Sequence, residues 1–141
     1  MTIENYKILG KYIKDMSSET PNIETYIFVK DYISKYQLNI DINSKPLKDK
    51  MVEINTILKF EDKQENKKKS YFEINYSAIV KVEENITEKK DLEKIILCEV
   101  PTEIFPELEK SFLNLLQNSG YPNVKLEKKV DFEKLYNQKF N

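Results

Sequence analysis

From Tyr36 the apolar residues fall on every second position, Tyr36, Leu38, Ile40 and Ile42, with Gln37, Asn39, Asp41 and Asn43 between them. Successive side chains leave a strand on opposite sides, so a period of two marks a strand with one covered and one wet face. Val52, Ile54, Thr56, Leu58 and Phe60 repeat the pattern. After a charged tip, Phe72, Ile74, Tyr76, Ala78, Val80 and Val82 repeat it again, and the two runs are expected to form an antiparallel hairpin. The tip, Glu61 to Lys69, is nearly all charge and amide, a composition that cannot bury, and it reads as an exposed loop. An earlier strand is expected from about Tyr6 to Ser17. Strict alternation puts Tyr6, Ile8, Tyr12 and Met16 on one side and Leu9 and Ile13 on the other, which implies cover on both faces.

Past Asn85 the period changes. Leu92, Ile95, Ile96 and Val100 lie three or four apart, the spacing of a helix, and Pro101 is expected to stop it. Pro106 is expected to start a second helix with Leu108, Phe112, Leu115 and Leu116 in one stripe. Asn118-Ser119-Gly120 followed by Pro122 is a stop signal, with Gly120 free to take a left-handed cap. A last short helix should follow Asp131 with Phe132, Leu135 and Tyr136 turned inward. Strands followed by helices, rather than alternating with them, imply an α+β fold with an antiparallel sheet and the helices gathered on one face. The length, 141 residues, fits a single domain over 1–141.

Chemistry is argued against by the missing residues. There is no histidine, which removes Ser-His and Cys-His nucleophile pairs and the commonest neutral-pH base and metal ligand. Gly10 and Gly120 are the only glycines, too few for a phosphate-cradling loop or a dinucleotide-binding turn. Carboxylate pairs such as Glu53 with Glu61, or Glu83 with Glu84, sit at polar positions that an alternating strand normally gives to solvent. The expectation is therefore a protein that is not an enzyme, with no cofactor and no metal. Lys and Arg number 23 against 24 Asp and Glu, a net charge of −1 that exerts no pull on nucleic acid. Lys67-Lys68-Lys69 follows Glu61, Asp62 and Glu65, so the loop cancels its own field. Met1 to Asn5 lacks the basic start and apolar stretch of a secretory signal, so no leader is expected, and Ile95-Ile96-Leu97-Cys98 breaks on Glu99 far short of a membrane span. With Cys98 as the one thiol, a reducing cytoplasm is the expected compartment and no membrane insertion is expected.

What remains is ring-rich surface. The chain has nine tyrosines and seven phenylalanines. Tyr26, Phe28, Tyr32 and Tyr36 fall where a connection between strands is expected. Two readings stand: the rings pack on the sheet edge as satellite core, or they wall a groove for an extended chain, at about 1.5 to 3 kcal/mol per buried large side chain. Self-association is also expected, because the first strand and the stripe after Pro106 carry more apolar surface than one small sheet covers.

Six pieces occur in the order found in SecB, the bacterial export chaperone family, and the chain resembles that family over nearly its whole length. They are Tyr12 to Asn22, Phe28 to Tyr32, the alternating strand from Phe72, and Pro101 with Phe105-Pro106. The interval from there to Tyr121-Pro122 and the run from Val130-Asp131-Phe132 to Leu135-Tyr136 complete the set. The resemblance implies a four-stranded antiparallel sheet of Greek-key type with C-terminal helices on one face, and dimers paired into a homotetramer. It also implies long grooves that hold unfolded precursor polypeptides without ATP until the motor SecA collects them. By position, Phe28 and Tyr32 resemble aromatic groove walls, with Tyr32 where the family has tryptophan. Phe72, Ile74, Tyr76 and Ala78 match strand positions that affect client binding or assembly, and Asp15 and Glu19 match acidic positions used in docking the motor. Glu73, Asn75 and the run Ile79-Val80-Lys81-Val82 depart from the family pattern, as does the balanced charge, and these departures bear on motor docking more than on fold.

Three functions follow. The first is an ATP-independent chaperone that keeps precursors unfolded for Sec export. The second is a SecB-like chaperone dedicated to one client, such as the antitoxin of a toxin–antitoxin pair. The third is a structural or assembly domain whose rings are only core.

Overall fold

The computed structural model describes residues 5–126 and 130–140. Met1 to Glu4, part of the stretch read above for a leader, lie outside the described residues. Strand β1 (Tyr6–Glu19) leads into helix α1 (Ile23–Tyr32) and a 3₁₀ turn at Ile33–Lys35. Strands β2 (Gln37–Pro46), β3 (Met51–Glu61) and β4 (Tyr71–Val82) follow. Helix α2 (Lys89–Lys94), a π turn at Ile95–Glu99, helix α3 (Val100–Asn118) and helix α4 (Phe132–Phe140) complete the chain.

The period-two runs become the strands they predict. All neighbours pair antiparallel in the order β1-β4-β3-β2. β2, β3 and β4 meander through short connections and β1 lies beside β4, which is the Greek-key arrangement. Directly opposed residues share a face, so Val52, Ile54, Thr56, Leu58 and Phe60 lie with Phe72, Ile74, Tyr76, Ala78 and Val80. All of these are buried, and Ile104, Phe105, Leu108, Phe112 and Leu116 of α3 join the same apolar cluster. The fold is α+β, with the long helix on one face of a four-stranded sheet.

Five local expectations are corrected. β1 does not alternate strictly, because extra residues at Leu9 and Lys14 bulge out of its pairing with β4. Each bulge switches the parity, so Ile13 opposes Tyr76 and Met16 opposes Ile74 on the helix-covered face, whereas Tyr12 opposes Ser77 on the open face. Pro101 does not end a helix. The turn before it widens, the Val100 N–H reaching back to the Ile95 carbonyl, which relieves the clash a proline ring makes with the carbonyl four residues earlier. Pro106 accordingly lies inside α3 rather than at its start. In the charged tip Asp62 is buried, its two carboxylate oxygens accepting from the Gln64 N–H and the Asn66 side-chain amide at 2.9 and 2.7 Å. Leu135 of α4 faces outward, while Phe132 turns in and packs edge-on against Phe105.

The end of α3 is built as the sequence suggests. Gly120 has φ +101°, the Tyr121 N–H donates to the Leu116 carbonyl at 2.9 Å, and the Gly120 N–H donates to the Gln117 carbonyl at 3.1 Å. This paired closure throws the chain sharply off the helix and delivers Tyr121 back onto the sheet.

Candidate functional site

The ring-rich segment is helix α1 rather than an irregular connection. Asn22 caps it, the side-chain oxygen accepting from the Thr25 N–H at 2.9 Å, and Thr25 and Val29 are its buried residues. Its other residues divide between two flanks, because a helix advances about 100° per residue. Tyr26, Lys30 and Ile33 border a groove of about 1350 Å³, whereas Phe28 and Tyr32 are not among its lining residues.

The groove runs between α1, the outer strand β2, the segment after Gly120 and one side of α4. Its floor is made of Tyr36, Phe60 and Tyr121, and Leu38 and Ile40 of β2 line it as half-buried side chains. The floor rings are pinned by a small polar cluster. The Ser70 N–H donates to the Tyr36 hydroxyl at 3.0 Å. The Ser70 hydroxyl lies 3.2 Å from that of Tyr121 and 2.7 Å from that of Thr20. Burial pushes the Tyr36 phenol above its ordinary pKa, which keeps it a neutral hydrogen-bonding group. Tyr26 closes the wall by donating to the Gly120 carbonyl at 3.1 Å, its ring tilted on Tyr121 with centroids 5.4 Å apart. Val124, Leu126 and Leu135 also line it, Leu135 being 46% exposed.

The expected site residues are separated by this arrangement. Phe28 and Tyr32 stack on each other, centroids 5.3 Å apart, and the Tyr32 hydroxyl donates to Gln64 of the β3–β4 tip at 2.7 Å. They form a half-buried ring pair beside the groove. Phe72, Ile74, Tyr76 and Ala78, matched by family position to strand sites that affect client binding or assembly, are all buried beneath α3 in the single subunit. They stand on the same face of β4 as Val80 and Val82, the face the helices cover, and the Phe72 ring is enclosed by Tyr36, Phe60 and Tyr121. Sequence reasoning missed Ile33, Phe60, Tyr121 and Leu135 as groove residues, since they come together only through the α3 closure and the path of the C-terminal segment. Tyr26 and Tyr36 were visible among the clustered rings.

Asp15 and Glu19 are exposed on the edge strand β1, and their pairing with Asn75 and Tyr71 puts both on the open face. That face neutralises much of its own charge. Glu53 is bound by Lys14, Glu73 lies 3.5 Å from Lys59, and Glu61 lies 3.3 Å from Lys63. The bond from Lys14 is the main reason the Glu53 carboxyl sits below the usual carboxylate range. Among the described residues Asp15 and Glu19 have no ion-pair partner. Also among the described residues, no three of His, Cys, Asp and Glu are placed to hold a metal ion, and no helix is long and apolar enough to cross a membrane.

The site is thus a groove floored by rings, lined with aliphatics and rimmed by scattered charge. The family model described as preprotein translocase subunit SecB matches residues 2–141. The chain is 62% identical over 138 residues to the putative protein-export protein SecB of Pelagibacter ubique (strain HTCC1062), covering 98% of this chain and 99% of that one. It is 26% identical over 133 residues to the protein-export protein SecB of Parvibaculum lavamentivorans, covering 94% and 77%. Among solved structures it is similar to the Mycobacterium tuberculosis Rv1957 SecB-like chaperone in complex with a ChAD peptide from the Rv1956 HigA1 antitoxin. There the TM-score is 0.61 at 10% identity, over 89% of this chain and 91% of that one. The chain therefore belongs to the SecB family of protein-export chaperones.

Proposed function

We propose that the chain, acting as one unit over 1–141, holds non-native precursor polypeptides in the groove between α1, β2 and the C-terminal segment, without ATP and without bond chemistry. The observation that carries this reading is the groove itself, whose volume of about 1350 Å³ exceeds the range of about 300–1,000 Å³ usual for small-molecule pockets. Apolar side chains in an unfolded client gain about 1.5 to 3 kcal/mol each on burial there, which offsets the ordering of a floppy chain only when several sites are filled. The setting is the cytoplasm, where precursors wait before export.

Assembly into a homotetramer belongs to the same reading. Leu9, Tyr12, Ile13 and Met16 of β1 are between 43% and 49% exposed in the single subunit, and they lie together on one edge of the sheet. Covering them by other copies would also leave a groove on each subunit. The motor SecA would dock through Asp15 and Glu19. The self-neutralised open face favours a second reading, in which the chaperone serves one dedicated client, such as an antitoxin, and depends less on the motor.

The test is suppression of aggregation of a chemically unfolded precursor, together with its affinity by fluorescence anisotropy. Leu135→Asp should weaken binding about tenfold while melting temperature and light-scattering mass stay unchanged. Holding one antitoxin but no generic unfolded protein would select the second reading. Holding neither would overturn both.

A further inference from the structure

The open face of the sheet, the side away from α3, sorts its charges by end. One row of paired residues, Tyr12, Ser77, Asn55 and Asn43, crosses all four strands without a charge. Within this face Lys14 binds Glu53, Lys59 lies beside Glu73 and Lys63 beside Glu61, and these pairs cancel. The charges left over fall on opposite sides of the neutral row. Asp15, Glu19 and Asp41 lie on one side and Lys7, Lys45 and Lys81 on the other, all exposed and, among the described residues, without an ion-pair partner. Lys7 directly opposes Lys81, a like-charge pairing that costs a sheet stability.

Two copies can lie open face to open face about a twofold axis in the plane between them. An axis along the strands keeps each row over itself, so that Asp15 meets Asp41 and like charges repel. An axis across the strands, over the neutral row, exchanges the two ends instead. Lys45 then meets Asp41 of the second copy, Lys81 meets Glu73, and Lys7 comes between Asp15 and Glu19, each contact being made twice. Glu83, one step past the end of β4, meets acidic residues in this arrangement, but at the rim, where solvent screens it. We propose that the open face pairs with the open face of a second copy in this second way, through a contact separate from the cover over Leu9, Ile13 and Met16 of β1.

The charges select the occupant, because the face is complementary to itself. A partner of one sign would meet as much repulsion as attraction. With strands about 4.8 Å apart and residues about 3.4 Å apart along them, the rows from Tyr71 to Lys81 cover roughly 650 Å² on each copy, so the pair buries roughly 1,300 Å², above the roughly 1,000 Å² expected of a specific interface. Tyr12 and Tyr71 are the exposed rings on this face. The contact is otherwise polar, held by charge and therefore weak and sensitive to salt. The groove lies on the helix side of β2 and stays open. Asp15 and Glu19 are covered, so a paired copy and a copy docked to the motor exclude each other, a consequence that alone rests on the docking reading.

The test is the mass of the intact protein by light scattering and sedimentation velocity. At about 0.01 M salt, where charges reach about 30 Å, the mass should be twice its value at about 1 M, where they reach about 3 Å. Lys7→Glu combined with Lys81→Glu should keep the lower mass at both, with affinity for a fluorescein-labelled unfolded peptide unchanged. Asp15→Lys combined with Glu19→Lys should also keep the lower mass. An equimolar mixture of the two variants should double again at low salt, since one then carries acid and the other base at both ends. Asn43→Cys leaves the charges intact and faces itself across the axis, so a short bismaleimide should link copies through it at low salt and not at high, Cys98 being buried. Gln37→Cys, at the end of the sheet, should not link. A mass independent of salt, doubling that survives the charge reversals, a mixture that stays at the lower mass, or equal linking through Gln37→Cys would overturn the pairing. Binding of an acidic or basic peptide to the face without doubling would assign it to a foreign partner. Peptide affinity, read separately, leaves the client-holding reading to stand or fall by itself.

Discussion

The two edges of this sheet are finished differently. β1 is bulged twice and exposes Leu9, Tyr12, Ile13 and Met16 across both of its faces. β2 pairs with β3 without a shift over its ten residues, and its apolar side chains keep to the groove side. A strand with apolar residues on both faces needs a broad, permanent cover. A straight strand with one apolar face and free backbone groups is suited to a narrow occupant that comes and goes. The bulges help make the distinction, since they twist an edge and spoil it as a regular ladder while turning side chains outward.

The largest effect should come from neither edge. Phe72→Ala, in the ring cluster between them, should cost about 3 to 5 kcal/mol in denaturant unfolding, because the cavity is walled by Tyr36, Phe60 and Tyr121 and cannot collapse freely. Phe28→Ala, in the half-buried pair beside the groove, should cost well under half as much. Equal losses would place Phe28 in the same core and erase the distinction between centre and rim. Next in size, Ile13→Asp combined with Met16→Asp should weaken self-association at least a hundredfold by light scattering, from about 1.5 to 3 kcal/mol per buried side chain, while peptide affinity per subunit stays within a few-fold. Loss of peptide binding with the mass intact would reverse the roles given to the edges. Smaller again, Gly120→Ala should destabilise by about 1 to 2 kcal/mol from its left-handed backbone, and more if the ring does not move, since a Cβ there would lie 2.6 Å from the Tyr26 ring. It should also loosen the groove wall, where Tyr26 bonds to the Gly120 carbonyl.

Much of the architecture was legible because its signals are periodic. Alternation located β2, β3 and β4, and the glycine after Asn118 located the end of α3. What stayed hidden depends on local breaks in a period or on distant parts meeting. Leu9 and Lys14 look like ordinary strand residues, yet as bulges they exchange the faces of Tyr12 and Ile13. Pro101 reads as a stop, because nothing in the residue types announces a widened turn that absorbs it. The groove suffers most. Its floor joins Tyr36, Phe60 and Tyr121, and only the packed chain aligns them around Ser70. Residues chosen by family position fell half in the core, since position on β4 specifies a strand face but not whether a helix covers it.

The smallest effect sharpens the contrast through pH. Lys11 of β1 bonds Glu107 of α3 at 2.8 and 2.9 Å, and the Tyr76 hydroxyl donates to the same carboxylate at 3.1 Å. Among the described residues, no ion pair links β2 to a helix. The Lys11 bond first, and the Tyr76 bond second, hold the Glu107 carboxyl below the usual carboxylate range, and the Glu107 bond holds the Lys11 ammonium above its ordinary 10.5. A depressed carboxyl favours the folded state above its unfolded pKa, and that contribution is lost as pH falls through the folded value. The raised ammonium contributes at neutral pH and is lost only as pH climbs beyond its ordinary value. Melting temperature should therefore drop slightly below about pH 4.3, by an amount that added salt reduces because the pair is exposed. Glu107→Gln should flatten part of that acid limb and leave peptide affinity at neutral pH unchanged. An unchanged acid limb in Glu107→Gln would mean that the tether between β1 and α3 is too well screened to matter, and the difference between the edges would then rest on their apolar faces alone.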